Sequence, residues 1–124
     1  MIIGLGTDII EVERVAEKIS KNNGFRELVF SPGEIAYCEA KTHKFEHYAA
    51  RFAAKEAFFK ALGTGWANET AFHEVEIVHD INGKPLIRLI GETARTLSHL
   101  NMQKIHVSLS HVKTMATAII IIEQ

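Results

Sequence analysis

The apolar positions follow two periods, and the switches between them predict the elements. Ile2 to Ile9 is short, apolar and rich in β-branched residues, which predicts a buried strand with Asp8 at its junction with the next element. Over Glu11 to Asn22, Val12, Val15, Ala16 and Ile19 fall at i, i+3, i+4 and i+7, which predicts a helix stopped near Gly24. Ser31-Pro32-Gly33-Glu34 carries a cap, a first-turn proline and a capping-box acid, so a second helix is expected from there to about Lys41. Thr42 to His47 is polar and reads as a turn, and Glu46 to Leu62 reads as a long alanine-rich helix closed by Gly63. Glu74 to Asp80 and Leu86 to Ile90 flank the turn Asn82-Gly83-Lys84-Pro85 and predict a hairpin. A short helix over Glu92 to Leu100 and strands over Lys104 to Ser110 and Met115 to Glu123 complete a β-α-α-α-β-β-α-β-β order. That order predicts an α+β fold with helices packed on a mostly antiparallel sheet, as one domain spanning 1–124.

Three places break the pattern and carry candidate chemistry. Placed at steps of about 100°, Arg51 and Lys55 share one side of the 46–62 helix and Glu56 and Lys60 another, with Phe52 and Phe59 between them. Charges flanking an aromatic ridge suggest that both sides meet protein or ligand; the plainer reading is a solvated Glu56–Lys60 ion pair. Asp8 is costly beside an apolar strand unless paired. It either caps the helix starting near Glu11 or, with Glu56, serves as a ligand of a hard cation such as Mg²⁺. In His106-Val107-Ser108-Leu109-Ser110-His111, alternation puts His106, Ser108 and Ser110 on one face of a strand, suited to phosphate oxygens or simply a half-exposed edge. Arg14, Lys18 and Lys21 form a basic stripe, either a solvated face or a docking surface for an acidic partner. Gly63-Thr64-Gly65 ends the long helix and is too short for a P-loop, but its N–H groups could meet a phosphate.

Composition narrows the class. With 47% hydrophobic and 23% charged residues the chain is globular rather than disordered. A net charge of −1 argues against nucleic-acid binding through bulk charge. The single cysteine, Cys38, excludes an intramolecular disulfide framework and a multi-cysteine zinc site, and fits a reducing compartment. No apolar run is long enough for a bilayer, and the start lacks a basic signal-like region, so a cytoplasmic location without membrane contact is expected. On the residues alone three classes stay open: a phosphoryl-type transferase, a Mg²⁺-dependent nucleotide phosphohydrolase using Asp8 and Glu56, and a non-catalytic module holding an acidic partner on its basic stripe.

Gly6-Thr7-Asp8-Ile9, Phe30-Ser31 with Glu34, Arg51-Phe52-Ala53-Ala54-Lys55-Glu56-Ala57 with Lys60, Leu62-Gly63-Thr64-Gly65, Asn82-Gly83-Lys84-Pro85 and His106 to His111 occur in this order. Together, over essentially the whole chain, they resemble the holo-[acyl-carrier-protein] synthases, the small AcpS-type 4′-phosphopantetheinyl transferases. The resemblance implies the 4′-phosphopantetheinyl transferase superfamily fold in a homotrimer with active sites between subunits. It implies Mg²⁺-dependent transfer of 4′-phosphopantetheine from coenzyme A to a serine of apo acyl carrier protein, with release of adenosine 3′,5′-bisphosphate, as a step serving fatty acid biosynthesis. Asp8 and Glu56 match the metal-ligand positions, Lys60 the lysine approaching the phosphates, and Arg14 the contact to the acidic carrier, with Lys18 and Lys21 beside it. Glu56, orienting a metal-bound water, is the favoured base. At Lys41 to Phe45, where related enzymes often carry a denser basic cluster, Phe45 interrupts it. Lys44, Arg51 and His106 are therefore candidates for the 3′-phosphate and ribose side of coenzyme A, with Ser108, Gly63 and Gly65 as further donor contacts and Trp66 either in that pocket or in the core.

Overall fold

The computed structural model describes residues 1–63 and 69–124. Strand β1 (Ile2–Glu11) leads into helices α1 (Val12–Ser20), α2 (Phe25–Val29), α3 (Pro32–Glu39) and α4 (Lys44–Leu62). A 3-10 turn at Phe72–Glu74 precedes the hairpin β2 (Val75–His79) and β3 (Pro85–Leu89), then α5 (Gly91–Thr96) and the strands β4 (Lys104–His111) and β5 (Met115–Glu123). β1, β5 and β4 form an antiparallel sheet in that order, and β2 pairs antiparallel with β3. The expected α+β class with antiparallel strands is observed. Among the described residues no helix is long and apolar enough to cross a bilayer.

Several boundaries differ from expectation for identifiable reasons. β1 continues past Ile9 because Ile10 and Glu11 still pair with Ala116 and Met115 of β5. Asp8 therefore sits inside the strand and does not cap α1, whose N-cap residue is Glu11 and makes no side-chain cap bond. Gly24 takes a left-handed φ of 94° and starts α2, a five-residue helix too short to reveal itself by periodicity. The capping box on α3 forms as read, with the Ser31 side chain accepting from the Glu34 N–H and the Glu34 side chain accepting from the Ser31 N–H. α4 begins at Lys44, so part of the expected Thr42 to His47 turn is helical.

α4 is the central element and is buried on nearly every side, including at the charged positions Arg51 and Lys55. One side meets the sheet through Ala57 and Ala61, in a core with Ala118, Ile120 and Ile122. The other meets α1, α2 and α3 around Tyr48, Ala49 and Phe52. The sheet contact is unusually close: a Cβ on Gly6 would collide with the Ala57 carbonyl, and one on Gly4 with the Ala61 carbonyl. Both glycines are thus required by space rather than by backbone angle.

Lys55 is fully buried and its Nζ donates to Glu34 Oε1 at 2.7 Å and to the carbonyls of Val75 at 2.6 Å and Phe72 at 3.0 Å. The second Glu34 oxygen accepts from the Ile77 N–H at 2.9 Å. This node joins α3, α4 and β2 and satisfies a cation that would be prohibitive alone. The Arg51 and Lys55 side of α4 therefore faces the protein interior. Cys38 is also buried, and burial pushes its thiol up to about 12, an unreactive structural group.

The close approach of α4 to β1 yields a direct test. Gly6→Ala is expected to lower stability by about 1–3 kcal/mol, the range for overpacking, as a lower urea midpoint at unchanged slope. A variant as stable as the parent would contradict the close contact.

Candidate active site

β1 and α4 meet at a cavity of about 500 Å³ lined by Asp8, Glu11, Arg14, Lys18, Phe52 and Glu56. Strand alternation explains the placement of Asp8. Gly4 and Gly6 face α4, so Asp8, two residues on, faces it too. On the helix, Glu56 and Lys60 lie one turn apart on the same side. Lys60 Nζ donates to Asp8 Oδ1 at 2.9 Å and to the Thr7 carbonyl at 3.1 Å. The solvated Glu56–Lys60 pair is therefore not the arrangement observed: Lys60 reaches across to the strand.

Among the described residues Glu56 makes no ion pair or side-chain hydrogen bond. Burial raises its pKa above the ordinary carboxylate value, and the negative charge of Asp8 adds to the rise. The hydrogen bond to Asp8 raises that of Lys60. An acid that resists ionisation beside a second carboxylate is the arrangement expected where a cation or a proton is to be received. Among the described residues no group of three His, Cys, Asp or Glu forms a closed metal cage. Two carboxylates opening on a roomy cavity fit instead a hard cation that keeps most of its ligands as water and phosphate oxygen.

Arg14 and Lys18 of α1 line the same cavity, and Lys18 Nζ lies 5.6 Å from the Phe25 ring centroid. Lys21 stands past the helix end, as the C-cap residue, and is exposed. Gly63 ends α4 with a left-handed φ of 81°. Thr64, Gly65 and Trp66 lie outside the described residues.

The remaining sequence candidates lie elsewhere. Lys44 pairs with Glu39 at 3.3 Å and lines a separate cavity of about 280 Å³ with His43 and Lys113. Arg51 is buried beneath Tyr37, its guanidinium carbon 4.1 Å from the ring centroid. Thr7 is in register with Ile119, and Ile119 with Ser108, while Asp8 is in register with Ala118 and Leu109. Ser108 and His106 therefore emerge on the sheet face opposite to Asp8. There His106 Nε2 meets Glu123 Oε2 at 2.7 Å, and the imidazole lines a cavity of about 360 Å³ with Lys84 and Lys104. Sequence reading missed those two lysines, although Lys104 stands two residues before His106 and alternation alone assigns it the same face. It also missed His47, one helical turn before Arg51, and His79, which only tertiary structure brings to Arg51.

The profile of the 4′-phosphopantetheinyl transferase superfamily matches residues 4–119. A holo-[acyl-carrier-protein] synthase of Geotalea daltonii is 43% identical over 125 residues, covering 100% of both chains. The crystal structure of holo-[acyl-carrier-protein] synthase from Neisseria meningitidis matches with a TM-score of 0.91 at 30% identity, covering 100% of both chains. That of Helicobacter pylori, solved in complex with coenzyme A, matches with a TM-score of 0.83 at 31% identity over 96% of this chain and 99% of its own. With a family profile spanning nearly all of it and a relative matched end to end, the chain belongs to the holo-[acyl-carrier-protein] synthases, enzymes of the 4′-phosphopantetheinyl transferase superfamily.

Proposed function

We propose that this enzyme transfers 4′-phosphopantetheine from coenzyme A to a serine of apo acyl carrier protein in a Mg²⁺-dependent reaction. The observation that carries the reading is the meeting of Asp8 and Glu56 in one cavity that Arg14 and Lys18 also line, with Lys60 paired to Asp8 at 2.9 Å. Asp8 and Glu56 would hold the ion, which supplies positive charge to a pyrophosphate during phosphoryl transfer. Lys60 sets a second positive charge where the leaving phosphate departs. The serine hydroxyl must lose its proton as it attacks phosphorus, and Glu56, its carboxylate orienting a water beside the ion, is the proposed base. Arg14 and Lys18 at the cavity mouth, with Lys21 beyond, suit an acidic carrier approaching the same opening. A cytoplasmic setting and a role in fatty acid biosynthesis complete the reading.

The donor carries a further phosphate on its adenosine, and Lys44, Arg51, Gly63, Gly65, His106 and Ser108 are the proposed contacts on that side. His106 and Ser108 cannot reach the Asp8 cavity of their own chain because they occupy the opposite sheet face. That face also exposes Leu5 at 66%, Ile9 at 63% and Ile119 at 47%. A row of large apolar side chains on a sheet favours a covering partner. A second copy would bury it and bring His106 and Ser108 to a neighbour's cavity. A homotrimer with sites between subunits is therefore the proposed assembly.

Three measurements test this. Intact mass of apo acyl carrier protein, after incubation with enzyme, coenzyme A and Mg²⁺, should rise by one phosphopantetheine, and the gain should vanish with EDTA or Asp8→Ala. Breakdown of coenzyme A without any carrier modification would instead support a phosphohydrolase. Glu56→Gln should reduce turnover at least about a hundredfold, the scale of general-base catalysis, with a smaller loss in coenzyme A binding. Equal losses in both would leave Glu56 only a metal ligand. Light scattering should report three copies, and Ile119→Lys should dissociate them; a monomer with full activity would refute the shared site.

A further inference from the structure

Lys60 is tied to the strand and not to its own helix. Its Nζ donates to Asp8 Oδ1 at 2.9 Å and to the Thr7 carbonyl at 3.1 Å, which fixes the ammonium on the β1 side of the cavity. The Lys60 side chain is 55% exposed and that of Asp8 16%, so the lysine is the freer partner of the two. One of the two Asp8 oxygens is thus engaged by a cation that belongs to the chain. Glu56 senses both partners: burial raises its pKa most, Asp8 raises it further, and Lys60 and Lys18 lower it.

The charges around the cavity balance. Asp8, Glu11 and Glu56 supply three carboxylates, and Arg14, Lys18 and Lys60 supply three cations. Among the described residues Lys60 is the one of these cations that pairs with Asp8 or Glu56. A divalent ion entering by itself would therefore meet no net negative charge, and would share Asp8 with an ammonium a few ångströms away. Like charges at that range oppose each other even through a solvated cavity. An anionic phosphate entering with the ion removes both obstacles. It offsets the added charge, and it offers the ammonium a charge-assisted hydrogen bond in place of the one to Asp8.

We propose that Lys60 couples the two ligands of this site: paired with Asp8 it holds down the affinity for a divalent cation, and the phosphates of the donor raise that affinity by drawing its ammonium off Asp8. The proposal rests on the reading of Asp8 and Glu56 as ligands of a hard cation, and it gives Lys60 a role before the leaving phosphate departs. The side chain is built for the movement. Its four-carbon stem is flexible and half in solvent, whereas Asp8 is held in a strand paired in register with Ala118. Linkage makes the effect reciprocal, so the cation tightens the donor by the factor with which the donor tightens the cation. A lysine that only clamps the phosphate predicts something else: its loss weakens the donor and leaves the cation, measured alone, unchanged.

The test measures Mn²⁺ binding to the intact enzyme by electron paramagnetic resonance, with and without coenzyme A and with no carrier protein. The Mn²⁺ chelated by coenzyme A in the absence of enzyme is subtracted. Coenzyme A should tighten Mn²⁺ binding to the parent about tenfold, within the usual range of coupling between sites. Lys60→Met should tighten Mn²⁺ binding without coenzyme A about tenfold, the scale of one unit charge acting on a divalent ion a few ångströms away in a solvated site. The same variant should lose most of the tightening by coenzyme A. Lys60→Arg, which keeps the charge, should bind Mn²⁺ like the parent. Unchanged or weaker Mn²⁺ binding by Lys60→Met without coenzyme A overturns the proposal and leaves the metal reading intact. So does equal tightening by coenzyme A in the parent and in Lys60→Met. Lys60→Arg behaving like Lys60→Met would trace the effect to packing instead of charge and also overturn it. If the parent binds no Mn²⁺ beyond the chelate even with coenzyme A, the reading of Asp8 and Glu56 as metal ligands fails and the proposal with it.

Discussion

The site depends on how closely one helix can lie on one strand. Gly4 and Gly6 let the carbonyls of Ala61 and Ala57 approach the β1 backbone where a methyl group would collide. α4 consequently rests on β1 without a layer of side chains between them. Asp8 follows Gly6 at the strand period, and Glu56 and Lys60 flank Ala57 and Ala61 along the helix. The same contact that closes the core thus brings a carboxylate from the strand to a carboxylate and an ammonium from the helix. A wider separation would move Lys60 Nζ from its 2.9 Å contact with Asp8.

Charge on α4 is sorted by azimuth, with neighbours in sequence meeting opposite fates. Lys55 points into the node of Glu34 and the Phe72 and Val75 carbonyls, and is held there with no access to water. Glu56, the next residue, lines the open cavity, its carboxylate without a hydrogen bond or ion pair among the described residues. Removing Glu34 would leave a buried unpaired cation and cost far more than an exposed pair is worth. This explains how a chain of net charge −1 can hold a cationic cavity rim and a cationic cluster around Arg51. The sum over the chain records none of that sorting.

Features governed by local chemistry were legible in the residues. The Ser31–Glu34 capping box, the Asn82-Gly83 turn and the alternation of β4 each appear where the pattern puts them. Those decided by tertiary contact were not. The end of β1 depends on pairing with β5, which carries Asp8 into the strand and removes its capping role. The inward turn of Lys55 depends on Glu34, twenty-one residues away, and on carbonyls contributed by the segment leading into β2. A helical wheel gives the direction in which a side chain leaves the axis, but not what occupies that direction. His47 and His79 escaped notice for the same reason, since 32 positions separate them in the chain and one tyrosine ring joins them in space.

The two faces of the β1-β5-β4 sheet divide the chemistry. Asp8 and α4 occupy one, and His106 and Ser108 the other, with the apolar side chains of Leu5, Ile9 and Ile119 between exposed polar positions. Adjacent strands lie only about 4.8 Å apart, so the separation along the sheet from Thr7 to Ser108 is small. The obstacle to a shared ligand within one chain is the thickness of the sheet and the direction of the side chains. One chain therefore presents the Asp8 cavity and the His106 and Ser108 side chains on opposite faces, and an apolar surface that water does not favour. The proposed assembly would resolve both: a neighbouring copy laid against the open face would hide Leu5, Ile9 and Ile119 and would deliver an imidazole and a hydroxyl to the rim of a cavity not its own. On this view assembly and substrate binding are selected through the same strand positions, because the register that exposes Ile119 also exposes Ser108 directly opposite it.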